Sequence, residues 1–391
     1  MEKLFLKKLL KDLSTETFTA KFWDGTFEKF GQGEAKFKIV FNRPVDKKAI
    51  LEDSSLAFGE AYMNKDIELE GNIQKIIESI YKNKDSFLHS HKFLNRLLKL
   101  RGTSIKKQKE DISYHYDLGN DFYSLWLDKN MNYSCAYFKD KDDSLDKAQD
   151  NKIKYILKKL NLKEGQTLLD IGCGWGDLII EASEKYKVKS LGITLSKEQY
   201  KKAQDKIKAK GLENLAEVKL MDYRELPTKK MKFDRIVSVG MLEHVGHGNI
   251  PSYIDIVDKI LEKRGIMLLH AITGLYETEG NRWIKKYIFP GGYIPTIREI
   301  VETFSEHDIH LVDLESLRLH YSKTLECWAE NFEDSIDKVK EKFDEKFIRM
   351  WRLYLNSCAA SFHYGVVDVH QFLITKDLNN EIPMTREYLY K

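Results

Sequence analysis

Cysteine is scarce in this chain of 391 residues: Cys135, Cys173, Cys327 and Cys358 lie far apart and form no CxxC pair. That excludes a disulfide-stapled scaffold, and without a secretory pattern the thiols are expected to be reduced in a cytoplasmic protein. Proline is rare, with 6 residues, and glycine numbers 22, so disordered and collagen-like compositions are excluded as well. No apolar run reaches the roughly 18 residues of a membrane span. The N-terminal MEKLFLKKLLKDL is broken by Lys7, Lys8 and Lys11 and reads as neither signal peptide nor span. Any membrane contact is therefore expected to be peripheral. A large charge of one sign is also missing: 64 basic residues against 61 acidic give a net of +3, which argues against a nucleic-acid partner.

That balance hides an asymmetry. Residues 1–110 hold 22 basic and 16 acidic side chains, a net of +6, and leave 42 basic and 45 acidic, a net of −3, for the rest. The excess peaks between Ser86 and Lys109, where Lys92, Arg96, Lys99, Arg101, Lys106, Lys107 and Lys109 occur without one acid. These residues interleave with Phe87, Leu88, Phe93, Leu94, Leu97, Leu98 and Leu100, and Lys92, Arg96 and Lys99 share one helical face. A solvated helix face and a docking surface for something anionic are both consistent with that pattern.

The first hundred residues read as a small domain of mixed structure. Phe18 to Phe41 alternates apolar and polar residues around Asp24-Gly25 and Gly31/Gly33, which predicts short antiparallel strands. Leu51 to Ile80 reads as mainly helical, broken near Gly71. Residues 101–110 form the linker, and from Asp111 onward strands and helices alternate, which predicts a parallel sheet covered on both faces. Strands are expected at Gln166–Ile171, Val188–Ile193, Ala216–Leu220, Phe233–Val239, Ile266–Ile272 and Gln371–Lys376, with a helix at Asp177–Tyr186. Ser196 and Gln199 have capping-box spacing at the start of another helix.

The most informative feature is the turn Gly172-Cys173-Gly174-Trp175-Gly176, directly after the first of these strands. Glycines let the backbone approach a ligand closely, and the carboxyl end of a strand is where open α/β sheets bind ligands. The spacing G-x-G-x-G is not the dinucleotide G-x-G-x-x-G, and no Lys-Ser/Thr pair makes a phosphate loop. A nucleoside with little or no phosphate fits better, and S-adenosylmethionine belongs to that class. Asp170 can hold an ammonium group, Asp222 an adenine amino group, and Thr194, Ser196 and Gln199 a ribose. An acid at the end of the second strand, common in methyltransferases, is absent from GITLS at 192–196.

These motifs, with FGEAYMNKDIELEGNI at 58–73, YHYDLGNDFY at 114–123, NYSCAY at 132–137, LLDIGCGWG at 168–176, VGMLEHVG at 239–246, KYIFPGGYIP at 286–295 and HYSKTL at 320–325, spread over most of the chain. Together they resemble the cyclopropane-fatty-acyl-phospholipid synthases, the family that includes the mycolic acid cyclopropane synthases. The resemblance implies a Rossmann-like α/β methyltransferase with a mainly parallel seven-stranded sheet at 111–391, behind a smaller α+β domain at 1–100 that docks on lipid. It implies S-adenosylmethionine bound by Tyr133, Ser134, Asp170, Gly172, Gly174, Gly176, Thr194, Ser196, Gln199, Asp222, Tyr223 and Val239. It also implies bicarbonate as general base, held by Cys135, Glu243, His270, Tyr321 and the backbone of Ile272, and no metal.

In the implied reaction a cis double bond attacks the sulfonium methyl group, and the resulting carbocation closes to a ring once a proton leaves the transferred carbon. Glu243 beside an anion is expected to be protonated or to share a proton. Tyr137, Tyr293, Trp283 and Phe289 are candidates to face the cation. The family also gives an active-site role to the cysteine matching Cys358, whereas the helical stripe Trp351, Leu355, Cys358, Phe362 reads as packing. The implied partner is an unsaturated phospholipid at the inner face of an anionic membrane, with a second copy of the chain as a further candidate. Two positions depart from the family: Asp177 stands where a glycine is common, and Leu242 where a phenylalanine is common.

Overall fold

The computed structural model describes residues 2–83 and 118–390. The basic segment 86–109, the linker 101–110 and the start of the YHYDLGNDFY motif lie outside the described residues. The chain divides into two compact units. The smaller takes the described part of Met1–Lys99 together with Thr278–Pro290 and Leu325–Val366, and the larger takes the remainder. A division in sequence order at the linker therefore differs from the division in space, because two later segments pack with the N-terminal part.

In the smaller unit, strands β1 (Phe18–Lys21), β2 (Phe27–Phe30), β3 (Phe37–Phe41) and β4 (Ile67–Glu70) form a sheet in the order β2-β1-β3-β4. The alternation at 18–41 predicts short antiparallel strands, and β1–β2 and β3–β4 do run antiparallel, but β1 and β3 run parallel. β4 falls inside the stretch expected to be helical. Its IELE sequence alternates after a tight turn, and pairing with β3 decides its conformation. Phe18 stacks on Phe30 at 5.0 Å and on Phe37 at 4.9 Å, and Leu6, Leu10, Ile39 and Ile76 join that core. Arg349, buried on the helix Glu345–His363, pairs with Glu68 at 2.8 Å and donates to the carbonyls of Tyr62 and Ile67 at 2.5 and 2.9 Å.

The larger unit is built on a seven-stranded sheet. Its strands are β5 (Thr167–Ile171), β6 (Lys189–Thr194), β7 (Ala216–Leu220), β8 (Phe233–Val239), β9 (Leu261–Gly274), β10 (Ile309–Ser316) and β11 (Val367–Lys376). The order is β10-β11-β9-β8-β5-β6-β7. The pairs from β9 through β7 are all parallel, and β11 is antiparallel to both its neighbours. This is the expected mainly parallel sheet. The five expected strands from β5 to β9 appear within a few residues of their predicted bounds. β10 was not expected: its exposed His310, Leu311 and Val312 give an edge strand little apolar signature.

Strand order reverses between β5 and β8, since β6 and β7 continue on one side of β5 and β8 starts on the other. That switch point opens a crevice at the carboxyl ends of the strands. Leu169, Ile171, Ile236, Met267 and Leu269 fill the sheet's interior, so the loops beyond those ends are anchored in a rigid layer.

Candidate functional site

The glycine turn leaves β5 and enters the helix Asp177–Tyr186. Gly172 has φ +86, and a Cβ there would stand 3.1 Å from Met241. Gly176 has φ +87, and its Cβ would meet that of Ala203 at 3.0 Å, so it brings two helices together and does not line the cleft. Above the turn lies a cleft bordered by Tyr133, Ser134, Lys152, Asp170, Gly172, Gly174, Thr194, Gln199, Asp222, Tyr223, Val239 and Arg224. Ten of the twelve expected cofactor residues line it. The other two are Gly176 and Ser196, whose hydroxyl caps the helix Lys197–Ala209 by accepting from the Gln199 N–H at 3.3 Å.

The expected capping box closes only on that side. The side chain of Gln199 turns away from the cap, and its Oε1 accepts from the Thr194 hydroxyl at 2.7 Å. Asp222 also has a protein partner: Arg224 donates to its two carboxylate oxygens at 2.8 and 2.5 Å. Asp170 differs, because its Oδ1 is buried without a hydrogen-bond partner, and burial pushes its carboxyl up to about 7. A buried acid with a free acceptor beside open glycine backbone is what the ammonium and nucleoside of S-adenosylmethionine require, so the residues present fit that cofactor.

The loop 128–135 forms one wall of the cleft. Asp128 gathers it by accepting from the backbone of Asn130 and Asn132 and from the Asn132 amide. The helix Leu145–Lys159 clamps it from below: Gln149 donates to the carbonyls of Asn132 and Ser134, and Lys152 to the Asn132 amide oxygen at 3.3 Å and the Ser134 hydroxyl at 2.9 Å. Lys152 was not anticipated. Leu145, Ala148, Gln149, Lys152, Ile156 and Lys159 share one face of that helix, and a lysine in line with Leu145 and Ile156 is the signal that could have found it.

The segments that carry the five residues expected to hold bicarbonate are linked through hydrogen bonds and strand pairing, Tyr321 by its backbone N–H, which donates to the Leu317 carbonyl. Cys135 Sγ lies 3.8 Å from the carbonyl of Leu317, which precedes the helix carrying Tyr321. The Leu317 N–H donates to Val369, and Val369 on β11 pairs with Ile272 on β9. The Ile272 N–H donates to Glu243 Oε1 at 2.6 Å, so this amide is already engaged by a carboxyl of the same set. His270 lies two residues back on β9, with the Gln371 amide 3.2 Å from its Nδ1. Glu243 Oε2 and His270 Nε2 are buried without partners.

Burial pushes Glu243 up to about 7 and His270 down to about 3. Near neutral pH the histidine is uncharged, and in the tautomer whose Nδ1 accepts from the Gln371 amide the ring proton is on Nε2. Burial also pushes the Cys135 thiol well up, so it is a neutral S–H and not a thiolate. His244, next to Glu243, is likewise neutral, lowered by burial to about 4.

Of the four aromatics expected to face a cation, Tyr137 and Tyr293 belong to the larger unit. Tyr137 stacks on Tyr155 at 4.3 Å, and Tyr293 is tied to the site by its N–H, which donates to the Glu243 carbonyl. Trp283 and Phe289 belong to the smaller unit, where Trp283 Nε1 points at Met63 Sδ and Phe289 packs edge-on to Tyr354. Cys358 is on a helix of that unit as well. Its thiol is pushed up to about 12 by burial, and Trp351, Leu355 and Phe362 of its stripe are buried.

Comparison with known proteins agrees with this geometry. A family model described as mycolic acid cyclopropane synthetase matches residues 103–372, and a second, described as a domain of unknown function, matches 5–92. The chain is 38% identical to the "Probable fatty acid methyltransferase" of Pseudomonas putida, covering 95% of each chain. It is 38% identical to the cyclopropane-fatty-acyl-phospholipid synthase of Escherichia coli K12, over 90% of this chain and 92% of that one. A crystal structure of the mycolic acid cyclopropane synthase CmaA1 complexed with SAH and CTAB shares 35% identity at a TM-score of 0.65, covering 68% of this chain and 98% of that one.

Proposed function

The chain belongs to the mycolic acid cyclopropane synthetase family of S-adenosylmethionine-dependent methyltransferases, and on that premise we propose that it cyclopropanates an unsaturated acyl chain of a membrane phospholipid, with bicarbonate as general base. The observation that carries this reading is that Glu243 Oε2 and His270 Nε2 are both buried without partners among the described residues, with Glu243 bonded to the Ile272 amide two residues along β9 from His270. Two neutral, buried donors on neighbouring elements suit a small oxyanion. Glu243 donates through Oε2 only while protonated, and burial keeps it so up to about pH 7. Cys135 supplies a further neutral S–H, Tyr321 is assigned with these residues on the family resemblance, and the Ile272 amide fixes Glu243 in place.

S-adenosylmethionine, when bound, supplies an electrophilic methyl group. The protein's part is to orient it through the cleft above Gly172 and Gly174, to exclude water, and to hold a weak base where the proton leaves. A strong nucleophile next to a carbocation would itself be alkylated, and the neutral thiol and imidazole found here avoid that. Cys358 has no step in this scheme, and its neutral thiol suits packing.

The Escherichia coli relative's name motivates the phospholipid substrate, and the basic character of residues 1–110 motivates docking on the inner face of an anionic membrane, where each Lys or Arg gives about 1 kcal/mol. No helix among the described residues is long and apolar enough to cross a membrane. The Pseudomonas putida relative's name supports a second reading, a methyl-branched product without ring closure. Incubation of the full chain with S-adenosylmethionine, bicarbonate and monounsaturated phospholipid vesicles separates the two. Gain of one CH2 with loss of the double bond supports cyclopropanation. A methyl-branched acyl chain supports the second reading, and no turnover with cofactor bound overturns the substrate.

A further inference from the structure

We infer that Lys152 grips the carboxylate of the cofactor's amino-acid end while Asp170 takes its ammonium, so that the cleft reads S-adenosylmethionine as a zwitterion. The inference rests on S-adenosylmethionine as cofactor and goes beyond it by naming a charge pair that selects one end of that molecule.

Lys152 is 4% exposed, yet it borders the same cleft as Asp170, Ser134 and Gly172. An ammonium removed from water costs several kcal/mol unless an anion and hydrogen bonds repay it. Its two hydrogen bonds go to neutral oxygens, the Ser134 hydroxyl and the Asn132 amide, which leaves one donor of three. Carboxylates are near, but each is used or turned elsewhere. Asp128 is taken up by the turn at Asn130 and Asn132, and Asp177 accepts from Lys206 at 3.0 Å.

Among the described residues Asp170 is the remaining anion, and no hydrogen bond joins it to Lys152, although each alters the other's ionisation through space. Its Oδ1 is buried and unpartnered. Two opposite charges that share a cleft without meeting leave room for a group carrying both signs. The α-amino-acid end of the cofactor has an ammonium for Asp170 and a carboxylate for Lys152, one bond apart from a common carbon. Burial lowers the Lys152 ammonium's proton affinity, and a bound carboxylate reverses that, so affinity and charge support each other.

The test compares binding, by calorimetry on the full chain without lipid, of S-adenosylhomocysteine and of decarboxylated S-adenosylhomocysteine, which keeps the amine. A charge-assisted contact corresponds to a preference of roughly 10- to 150-fold for the carboxylate ligand in the wild type. Lys152→Met should lose that preference by weakening the carboxylate ligand alone, and Lys152→Arg should keep most of it. Equal binding of the two ligands by the wild type overturns the inference without any variant. A Lys152→Met protein that loses both ligands equally, or that changes only the bicarbonate concentration for half-maximal activity, also overturns it. If neither ligand binds the wild type, the cofactor reading itself fails, and that outcome is distinct from loss of preference.

Discussion

Lys152 and Lys159 stand seven residues apart on one face of the same helix, both buried, and their surroundings differ in kind. Lys159, 1% exposed, forms an ion pair with Glu315, and the Tyr155 hydroxyl donates to the same carboxylate at 2.9 Å. Among the described residues Lys152 has only an amide and a hydroxyl. The same contrast runs through the larger unit: Arg235, also buried, spends its guanidinium on the carbonyls of Leu160, Asp234 and Asn161, whereas Asp170, Glu243 and His270 keep buried atoms without partners. Lys159 and Arg235, which hold the scaffold, come with their partners, whereas Asp170, Glu243 and His270, at the cleft and the edge of β9, leave valences open. An unmet valence is tolerated in a folded protein where a ligand repays it.

The largest effect should come from breaking the satisfied side of the comparison. Lys159→Met leaves Glu315 facing a buried apolar site and should cost about 3–5 kcal/mol, toward the lower figure because Glu315 is partly exposed. Lys152→Met removes a charge that has no paired anion and should change stability by less than about 1 kcal/mol, or raise it. Urea unfolding of the two variants without cofactor measures both. Equal losses would mean that Lys152 is as structural as Lys159, and the contrast would fail.

Asp170→Asn sharpens the comparison through pH. Its carboxyl is pushed up from 3.8 to about 7, so the folded chain binds a proton that the unfolded chain releases, and stability is lost as pH rises across that interval. Removing the carboxyl should therefore stabilise the cofactor-free protein by up to about 4 kcal/mol at pH 8, and by less than about 2 kcal/mol at pH 5. S-adenosylhomocysteine binding should be lost at both pH values. An advantage that does not grow with pH would show that Asp170 is already paired in the folded chain.

Much of this organisation was legible in the sequence where local and tertiary preferences coincide. The run LLDIGCGWG placed a strand, a glycine turn and a helix start because apolar residues, special φ angles and a helix N-terminus follow one another there. The strand at Ile67–Glu70 and the edge strand at Ile309–Ser316 were not legible, because strand partners far along the chain decide them. Lys152 was hidden for a different reason. The helix Leu145–Lys159 has five lysines, and composition alone makes each look solvated. The side-chain partners of Gln199 and Asp222 could not be read either, since Thr194 and Arg224 compete for them only once folded.

Glu243 tests the open valences at the edge of β9 on a smaller scale. Below about pH 7 it is protonated and donates through Oε2, and above that pH it carries a charge that repels an anion. The bicarbonate concentration for half-maximal activity should thus rise by as much as about tenfold per pH unit above 7, the limit for one proton. Glu243→Gln keeps a donor without the titration and should flatten that rise, whatever its maximal rate. A dependence equally steep in the variant would assign the effect to another group.

The smallest effect belongs to Asp177, which occupies both sides of the comparison. It opens the helix Asp177–Tyr186, where a negative charge near the N-terminus contributes about 0.3–1 kcal/mol. It also borders the cleft, and its carboxylate meets Lys206 at 3.0 Å and the Asn132 amide at 3.4 Å, while Lys206 reaches the carbonyl of Asn130. Its valences are therefore filled by the wall of the cleft itself. Asp177→Asn should cost at most about 1 kcal/mol, since the pair is partly exposed and the amide can still accept from Lys206. A double-mutant cycle with Lys206→Met should give a coupling no larger than that. Because Asp177 has its partner within the protein, its loss should weaken S-adenosylhomocysteine far less than Lys152→Met does. A larger loss than for Lys152→Met would place the charge that matters to the ligand on the wall of the cleft and not beneath it.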